Sequence, residues 1–300
     1  MASLPVIGWI GAGRMGVPMA GSILKAGYPV VVFSRSADNR QKLVSLGASA
    51  ATSVADCARA AKVVFSSLPD DRALREVALG PGGVLANAAR GCVFADTSTV
   101  STQISQEVDK DASQRGIAYL RIPISGNAAS ARLGELTALV SGPEPAWNRV
   151  KAVVERFSQA QIYLGAGDEA RHMKLVINLL VVATAQAMAE ALALGRKAGL
   201  GWQPLLDTIA QSTIASPWLK VKAGLMKHRD FTPTMTTRLI LKDIDLMLAA
   251  ARANGVQMPV TSATRQAMQE AIHAGYGEQD YMAIIKLAEK QSGLSSETVD

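Results

Sequence analysis

The chain has 300 residues, 49% of them hydrophobic and 19% charged, with a formal net charge of +6. That length can bury a sizeable core and is enough for two domains, and the balance excludes a disordered or fibrous chain. The positive excess does not read as a nucleic-acid surface, because the basic residues are scattered and only 5% of residues are aromatic; a basic surface suited to small anions is the simpler reading.

Val6 to Ile10 is a short apolar strand that runs into Gly11-Ala12-Gly13-Arg14-Met15-Gly16. In such a loop Gly11 allows a tight turn, Gly13 lets the backbone approach a phosphate, and Gly16 lets helix pack closely on strand. A glycine triplet alone is a weak signal, since Gly is the default residue of any tight turn. Here an amphipathic pattern follows (Met15, Met19, Ile23, Leu24), closed by Gly27, and then a second apolar strand, Pro29 to Phe33. That is a complete βαβ opening of roughly 30 residues. Gly11, Ala12, Gly13, Arg14 and Met15 are therefore expected to hold a dinucleotide pyrophosphate.

About 20 residues past the glycine loop, an NAD-binding chain usually carries Asp or Glu to hold the ribose 2′-hydroxyl. This chain has Ser34-Arg35-Ser36 there. A carboxylate repels a 2′-phosphate, whereas a hydroxyl and a guanidinium bind it. The expected cofactor is NADP(H) in preference to NAD(H).

Strand and helix signals keep alternating. Helices are predicted at Gln41 to Leu46, Val54 to Ala60, Asp71 to Leu79, Ser101 to Arg115 and Ala146 to Phe157. Strands are predicted at Val63 to Leu68 (stopped by Pro69), Val93 to Asp96, Ala118 to Ile122, Thr137 to Ser141 and Gln161 to Leu164. This alternation implies a mostly parallel, doubly wound α/β sheet of Rossmann type. From about Gly165 the strand signal disappears. Residues 168–197, 203–211, 217–228, 236–254, 261–273 and 280–290 carry helical periodicity or good helix formers. The expected organisation is a nucleotide-binding domain over residues 1–164 and an all-α domain over residues 165–300, joined by one long helix.

Leu175 to Leu194 is about long enough to span a membrane, but Asn178, Gln186 and Glu190 interrupt it; a helix buried between domains or subunits is expected, and no membrane. Cys57 and Cys92 lie far apart, and His172, His228 and His273 form no ligand cluster. No metal is expected, and a reducing, cytoplasmic setting is. The N-terminus carries no charged n-region or cleavage site, and the polar tail from Ser292 to Asp300 is expected to fray.

Several segments together resemble the β-hydroxyacid dehydrogenases, the family of 3-hydroxyisobutyrate dehydrogenase and tartronate semialdehyde reductase. Gly8-Trp9-Ile10-Gly11-Ala12-Gly13-Arg14-Met15-Gly16-Val17-Pro18-Met19-Ala20 resembles the family's opening, and Ile122-Pro123-Ile124-Ser125-Gly126 its substrate-binding segment. Gly165-Ala166-Gly167 followed by Lys174 and Asn178 is similar to its catalytic segment, and Leu241-Lys242-Asp243 to a signature in its helical domain. The order and spacing hold over essentially residues 5 to 290. The resemblance implies that Lys174 is the catalytic residue, that Lys242 reaches toward cofactor and substrate, that Thr99 lies near the nicotinamide, and that Leu68-Pro69 passes under the cofactor. It also implies homodimers or homotetramers built on the helical domain.

The residues support the same chemistry. Lys174 and Asn178 are four apart, so both project from one helical face. Hydride transfer to a carbonyl creates an alkoxide that needs a proton; a desolvated lysine near a cationic nicotinamide can serve as that acid, and as the base in reverse. Asn178 can hold the lysine or the substrate oxygen. Ser125, Gly126 and Asn127 offer a hydroxyl, backbone N–H groups and an amide to a substrate carboxylate at an end of the sheet where doubly wound folds bind ligands. Lys242, taken alone, could equally pair with Asp243 or Asp245.

Three departures from the family pattern stand out. Arg121 replaces a usual acid before the substrate segment, Asn127 replaces a usual glycine, and Ile177 stands where many members have the first of two asparagines. Arg121 puts a positive charge near the substrate end of the sheet, which leaves room for a larger or more anionic substrate than hydroxyisobutyrate. The leading expectation is an NADP(H)-dependent oxidoreductase acting on a small anionic β-hydroxyacid or its semialdehyde. The alternatives are an imine reductase of related architecture, which generally lacks the lysine at position 174, and a catalytically silent nucleotide-binding module.

Overall fold

A computed structural model of the chain describes residues 4–295; the end of the tail expected to fray lies outside them. The chain forms two compact units, one up to Leu175 and one from Val176 onward.

The first unit runs β1 (Ile7–Ile10), α1 (Gly16–Lys25), β2 (Val30–Phe33), α2 (Ala37–Val44), β3 (Ser49–Ala50), α3 (Val54–Ala60), β4 (Val63–Ser66), α4 (Asp71–Leu79), α5 (Val84–Asn87), β5 (Val93–Asp96), α6 (Thr102–Gln114) and β6 (Ala118–Arg121). It continues with β7 (Ile124–Ser125), α7 (Ala128–Leu133), β8 (Leu136–Ser141), α8 (Glu144–Val154) and β9 (Ser158–Gly165). The strand order β3-β2-β1-β4-β5-β6-β8-β7, with β9 on β8, places β1 and β4 side by side at the point where the winding reverses. Strands β1 to β6 pair in parallel throughout. The far side of the sheet is mixed: β8 runs antiparallel to β6 and β7 and parallel to β9. The two-residue strands β3 and β7 and the short helices α5 and α7 are too brief to leave a periodic signal in the sequence.

The alternating side chains explain the double winding. Val63, Phe65, Val93 and Ala95 enter one buried cluster with Trp9 and Phe157. Val64, Phe94 and Tyr119 enter the other, against α3, α4 and α6. A sheet apolar on both faces must be covered on both. Trp9 stacks on Phe65 at 5.6 Å and meets Phe157 edge-on at 6.4 Å. Its indole N–H also donates to the Gly11 carbonyl at 3.0 Å, so the core of the sheet holds the loop above it.

The second unit is helical among the described residues. Helix α9 (Glu169–Lys197) begins in the first unit and continues into the second. It is followed by α10 (Trp202–Gln211), α11 (Pro217–Lys227), α12 (Thr237–Ala253), α13 (Pro259–Ala271) and α14 (Ile284–Gln291), with a kink at Ile272–Tyr276, where Gly275 has φ +93°, and a 3₁₀ turn at Tyr281–Ala283. Its buried charges are paired. Glu289 receives Arg196 and Arg229, each at 2.6 Å, and Lys222 meets Asp280 at 2.8 Å. Both arginines also lie over the Trp202 ring.

Candidate active site

The loops that follow β1, β2, β4 and β5 lie side by side at the carboxyl edge of the parallel strands. Backbone bonds stitch them together: Gly11 N–H to the Phe33 carbonyl, Ser67 N–H to that of Ile10, and Thr97 N–H to that of Ser66. Gly11 has φ +95°, and a Cβ there would stand 2.3 Å from the Ser67 carbonyl oxygen. A Cβ on Gly16 would stand 2.0 Å from the Gly11 oxygen. Both glycines are therefore required by the fold itself. Gly13 differs: a Cβ there would meet nothing within 4 Å. Nothing in the protein needs Gly13 to lack a side chain, whereas a phosphate approaching the backbone does. The same loop leads into α1, which has no side-chain cap, although Ser36, Ser53, Asp70 and Ser101 cap α2, α3, α4 and α6. An uncapped helix start offers N–H groups to an anion. These features fit a dinucleotide.

At the end of β2, Ser34 is buried and Arg35 and Ser36 are exposed. Ser36 accepts a hydrogen bond from Asn39 N–H as the cap of α2. Arg40 folds back from that helix and donates to the Ser34 carbonyl at 3.0 Å. The sequence expectation does not include this second guanidinium; a cation four residues into a helix that starts just after Ser34-Arg35-Ser36 is the signal that points to it. Leu68 N–H donates to Ser98 Oγ at 2.8 Å, which joins the Leu68-Pro69 segment to the loop carrying Thr99.

Ser125 ends β7, half-buried, opposite Thr137. Gly126 has φ +131°, and a Cβ there would crowd Leu136 at 2.6 Å. The side-chain Oδ1 of Asn127 accepts from Ala129 N–H and Ser130 N–H at 2.8 and 3.1 Å, so Asn127 is the N-cap of α7. Only its NH₂ group is left to meet a ligand.

Arg121 overturns its expectation. It is 1% exposed, and its guanidinium meets Asp168 at 3.0 Å and Asp109 at 3.1 Å and lies over the Tyr119 ring. Its charge is spent inside the first unit and adds nothing for a more anionic substrate. Next to it, Asp96 is fully buried and accepts Ser66 Oγ and Ser98 Oγ, both at 2.6 Å, and Arg171 Nη2 at 2.5 Å. Arg171 also donates to the Tyr119 hydroxyl at 2.9 Å and to the Ser98 carbonyl. Burial opposes the charge on Arg171, but the Tyr119 hydroxyl and Asp96 carboxylate raise its pKa above the ordinary value. Burial pushes Tyr119 up to about 12, so it stays a neutral donor and acceptor.

Lys174 is half-buried on α9, one turn before the buried Asn178. In the second unit Asn178 Nδ2 donates to Asp243 Oδ2 at 2.8 Å, and Lys242 Nζ lies 2.8 Å from Asp243 Oδ1. Asp243 is fully buried and so holds Asn178 and Lys242 at one point; Asp245 pairs with Arg265 instead. From the sequence alone, either acid is an equal partner for Lys242. The spacing Ile240-Asp243-Ile244-Met247 puts Asp243 on the buried stripe of α12, which was the available clue.

Comparison with known proteins covers both units of the chain. Residues 6–165 match the NAD binding domain of 6-phosphogluconate dehydrogenase. Residues 165–288 match the NAD-binding domain of NADP-dependent 3-hydroxyisobutyrate dehydrogenase. The chain is 32% identical to 2-(hydroxymethyl)glutarate dehydrogenase of Eubacterium barkeri, covering 96% of each chain. It is 31% identical to NAD-dependent L-serine dehydrogenase of Pseudomonas aeruginosa, over 96% of this chain and 99% of that one. The solved structure of Mycobacterium tuberculosis 3-hydroxyisobutyrate dehydrogenase with L-serine superposes with a TM-score of 0.84 at 28% identity, covering 95% of this chain and 99% of that one. With both halves matched and the glycine loop intact, the chain belongs to the β-hydroxyacid dehydrogenase family of NAD(P)-binding oxidoreductases that act on the CH–OH group of small hydroxyacids.

Proposed function

We propose that the protein interconverts a small β-hydroxyacid and its semialdehyde with NADP(H), with Lys174 as general acid and base. The observation that carries the chemistry is Lys174 one helical turn from Asn178, whose amide is fixed by the buried Asp243. With its NH₂ engaged by a carboxylate, Asn178 offers its carbonyl oxygen to an ammonium or a substrate hydroxyl. Lys174 then gives a proton to the carbonyl oxygen during reduction and takes it from the hydroxyl during oxidation. Ser125 and the backbone at Gly126 bind the carboxylate.

Gly11 to Met15 hold the pyrophosphate and Ser34, Arg35 and Arg40 the 2′-phosphate; when bound, the cofactor supplies the hydride to the carbonyl carbon or accepts it from the alcohol. The preference for NADP(H) rests on two guanidiniums and no carboxylate at the end of β2. The exposed Val176, Leu180 and Leu194 on α9 support self-association through that helix, and the two buried unpaired thiols support work in a reducing cytoplasm.

The test is the change in nicotinamide absorbance with NADP⁺ or NAD⁺ and a panel of 3-hydroxyisobutyrate, L-serine and 2-(hydroxymethyl)glutarate, and with NADPH or NADH and the corresponding aldehydes. Turnover of at least one member, faster with the phosphorylated cofactor, is expected. Tight NADPH binding without turnover of any member would overturn the enzymatic reading.

A further inference from the structure

The start of α9 is held by two ion pairs of opposite sense. Asp96 and Arg121 are side-by-side partners in the register of β5 and β6, two residues along from the stacked Phe94 and Tyr119 and so on the same face. Each sends its charge to the beginning of α9: Arg121 to Asp168, directly before the helix, and Asp96 to Arg171, three residues later. An acid and a base on the sheet thus face a base in the first turn of the helix and an acid at the residue before it. Rotation or sliding of the helix would set like charges together, so the arrangement admits one azimuth. Ser141 Oγ adds a bond from Ala170 N–H at 3.2 Å.

We infer that Arg171 is the positioning residue for Lys174, acting through Asp96; the inference rests on Lys174 having the role proposed above. Arg171 stands three residues before Lys174, on the adjoining turn of the same helix. Its guanidinium touches the Asp96 carboxylate, the Tyr119 hydroxyl and the Ser98 carbonyl at once. Ser98 adjoins Thr99, and its hydroxyl binds Leu68 N–H. One buried cation therefore ties the helix that carries the proton-transfer lysine to both loops expected beside the cofactor. Stability is a poor account of it. Arg171 Nε is buried and has no hydrogen-bond partner among the described residues, and a buried ion pair can be replaced by apolar groups at little cost. What apolar groups would not supply is direction.

Two variants test this without relying on one fold-sensitive change. Arg171→Lys keeps the charge but loses the planar fork. Asp96→Asn with Arg171→Met removes both charges and leaves no buried ion unpaired. Each is loaded with NADPH, and Lys174 is labelled with acetic anhydride and scored by peptide mass spectrometry against the exposed Lys151 of the same molecule. Relative labelling of Lys174 should rise at least threefold, and kcat on the panel member turned over by the unaltered enzyme should fall at least tenfold in the double variant, with KM within threefold. Arg171→Lys should fall in between. Labelling and kcat as in the unaltered protein, in either variant with a native melting transition, would overturn the inference. Lys174→Ala separates the two readings. If it keeps full turnover, the role of Lys174 is wrong, whatever the labelling shows. If it loses turnover while the Arg171 variants change nothing, only the positioning inference fails.

Discussion

Arg121 and Asp168 form an ion pair at 3.0 Å in which neither side chain is more than 10% exposed. Ser105 Oγ also donates to that carboxylate, and Arg121 reaches Asp109 as well. The residue that reads in the sequence as a positive charge near the substrate end of the sheet is a strut under the first turn of α9. Arg121→Met should leave Asp168 buried without its partner, at a cost of about 3–5 kcal/mol. A fall in melting temperature on the order of 5–10 °C is expected, with KM for an anionic substrate within twofold of normal. An unchanged melting temperature with a tenfold higher KM would restore Arg121 to the substrate site.

The glycines of the loop should separate by role. Gly13→Ala meets open space and should leave the melting temperature within about 2 °C while raising the NADPH Kd at least tenfold, because the lost backbone approach costs about 1.4 kcal/mol or more. Gly16→Ala must displace the Gly11 carbonyl and should lose both stability and binding. Thermal melts and nicotinamide fluorescence titrations read the two effects; a stable Gly16→Ala protein that still binds NADPH tightly would contradict the geometry.

Arg35→Ala should weaken NADPH by roughly 10- to 100-fold, the range for losing a charge-assisted contact of about 1.5–3 kcal/mol, and NADH by less than twofold. Arg40→Ala should follow the same pattern with a smaller effect, since part of its bonding goes to the Ser34 carbonyl. Equal losses for both cofactors would remove the 2′-phosphate assignment.

Lys174→Ala should lower kcat by about 10²- to 10⁴-fold, the usual contribution of a positioned acid or base, with the Kd for NADPH within threefold. Single-turnover absorbance and fluorescence titration measure the two separately.

Stability should decline on the alkaline side. Burial pushes Cys57 up to about 12, Cys92 up to about 11 and Tyr119 up to about 12, against roughly 8.5 for a cysteine and 10 for a tyrosine in the unfolded chain. These groups keep their protons in the folded state after the unfolded chain has lost them. Their contribution is complete below about pH 8.5 and is lost as pH rises toward 11–12, by about 1.4 kcal/mol per pH unit for each group titrating only in the unfolded chain. Melts at pH 8 and pH 10.5 should show the drop, and Cys57→Ala should flatten it; identical slopes would show that Cys57 does not contribute.

The parts of the site that were legible are those built from short stretches of chain. The glycine loop, Ser34-Arg35-Ser36 and the placing of Lys174 and Asn178 on one face of α9 depend on spacings within a turn, a loop or one βαβ unit, and local backbone geometry enforces them. Asn127 carried an N-cap signal, but α7 is only six residues long and left no periodicity to reveal the helix it caps. Arg171 and Asp243 were legible in part. Arg171, Leu175, Asn178 and Val182 recur at helical spacing along the buried side of α9, as Asp243 does along α12, so a charge on an apolar stripe marked both. Their partners could not be read.

By itself the sequence determined the α/β-then-α order, the dinucleotide loop, the absence of a carboxylate at the end of β2, and a lysine and asparagine on one helical face. All of these follow from local periodicity and turn chemistry. Only the tertiary structure decided where the charges go. Arg121 is 47 positions from Asp168 and Arg171 is 75 from Asp96; Asn178 is 65 from Asp243. A buried ion must find its counter-charge wherever the fold brings one within reach, because desolvation is too costly otherwise. The sign of Arg121 was therefore plain in the chain, and its purpose was set by the neighbour that folding supplied.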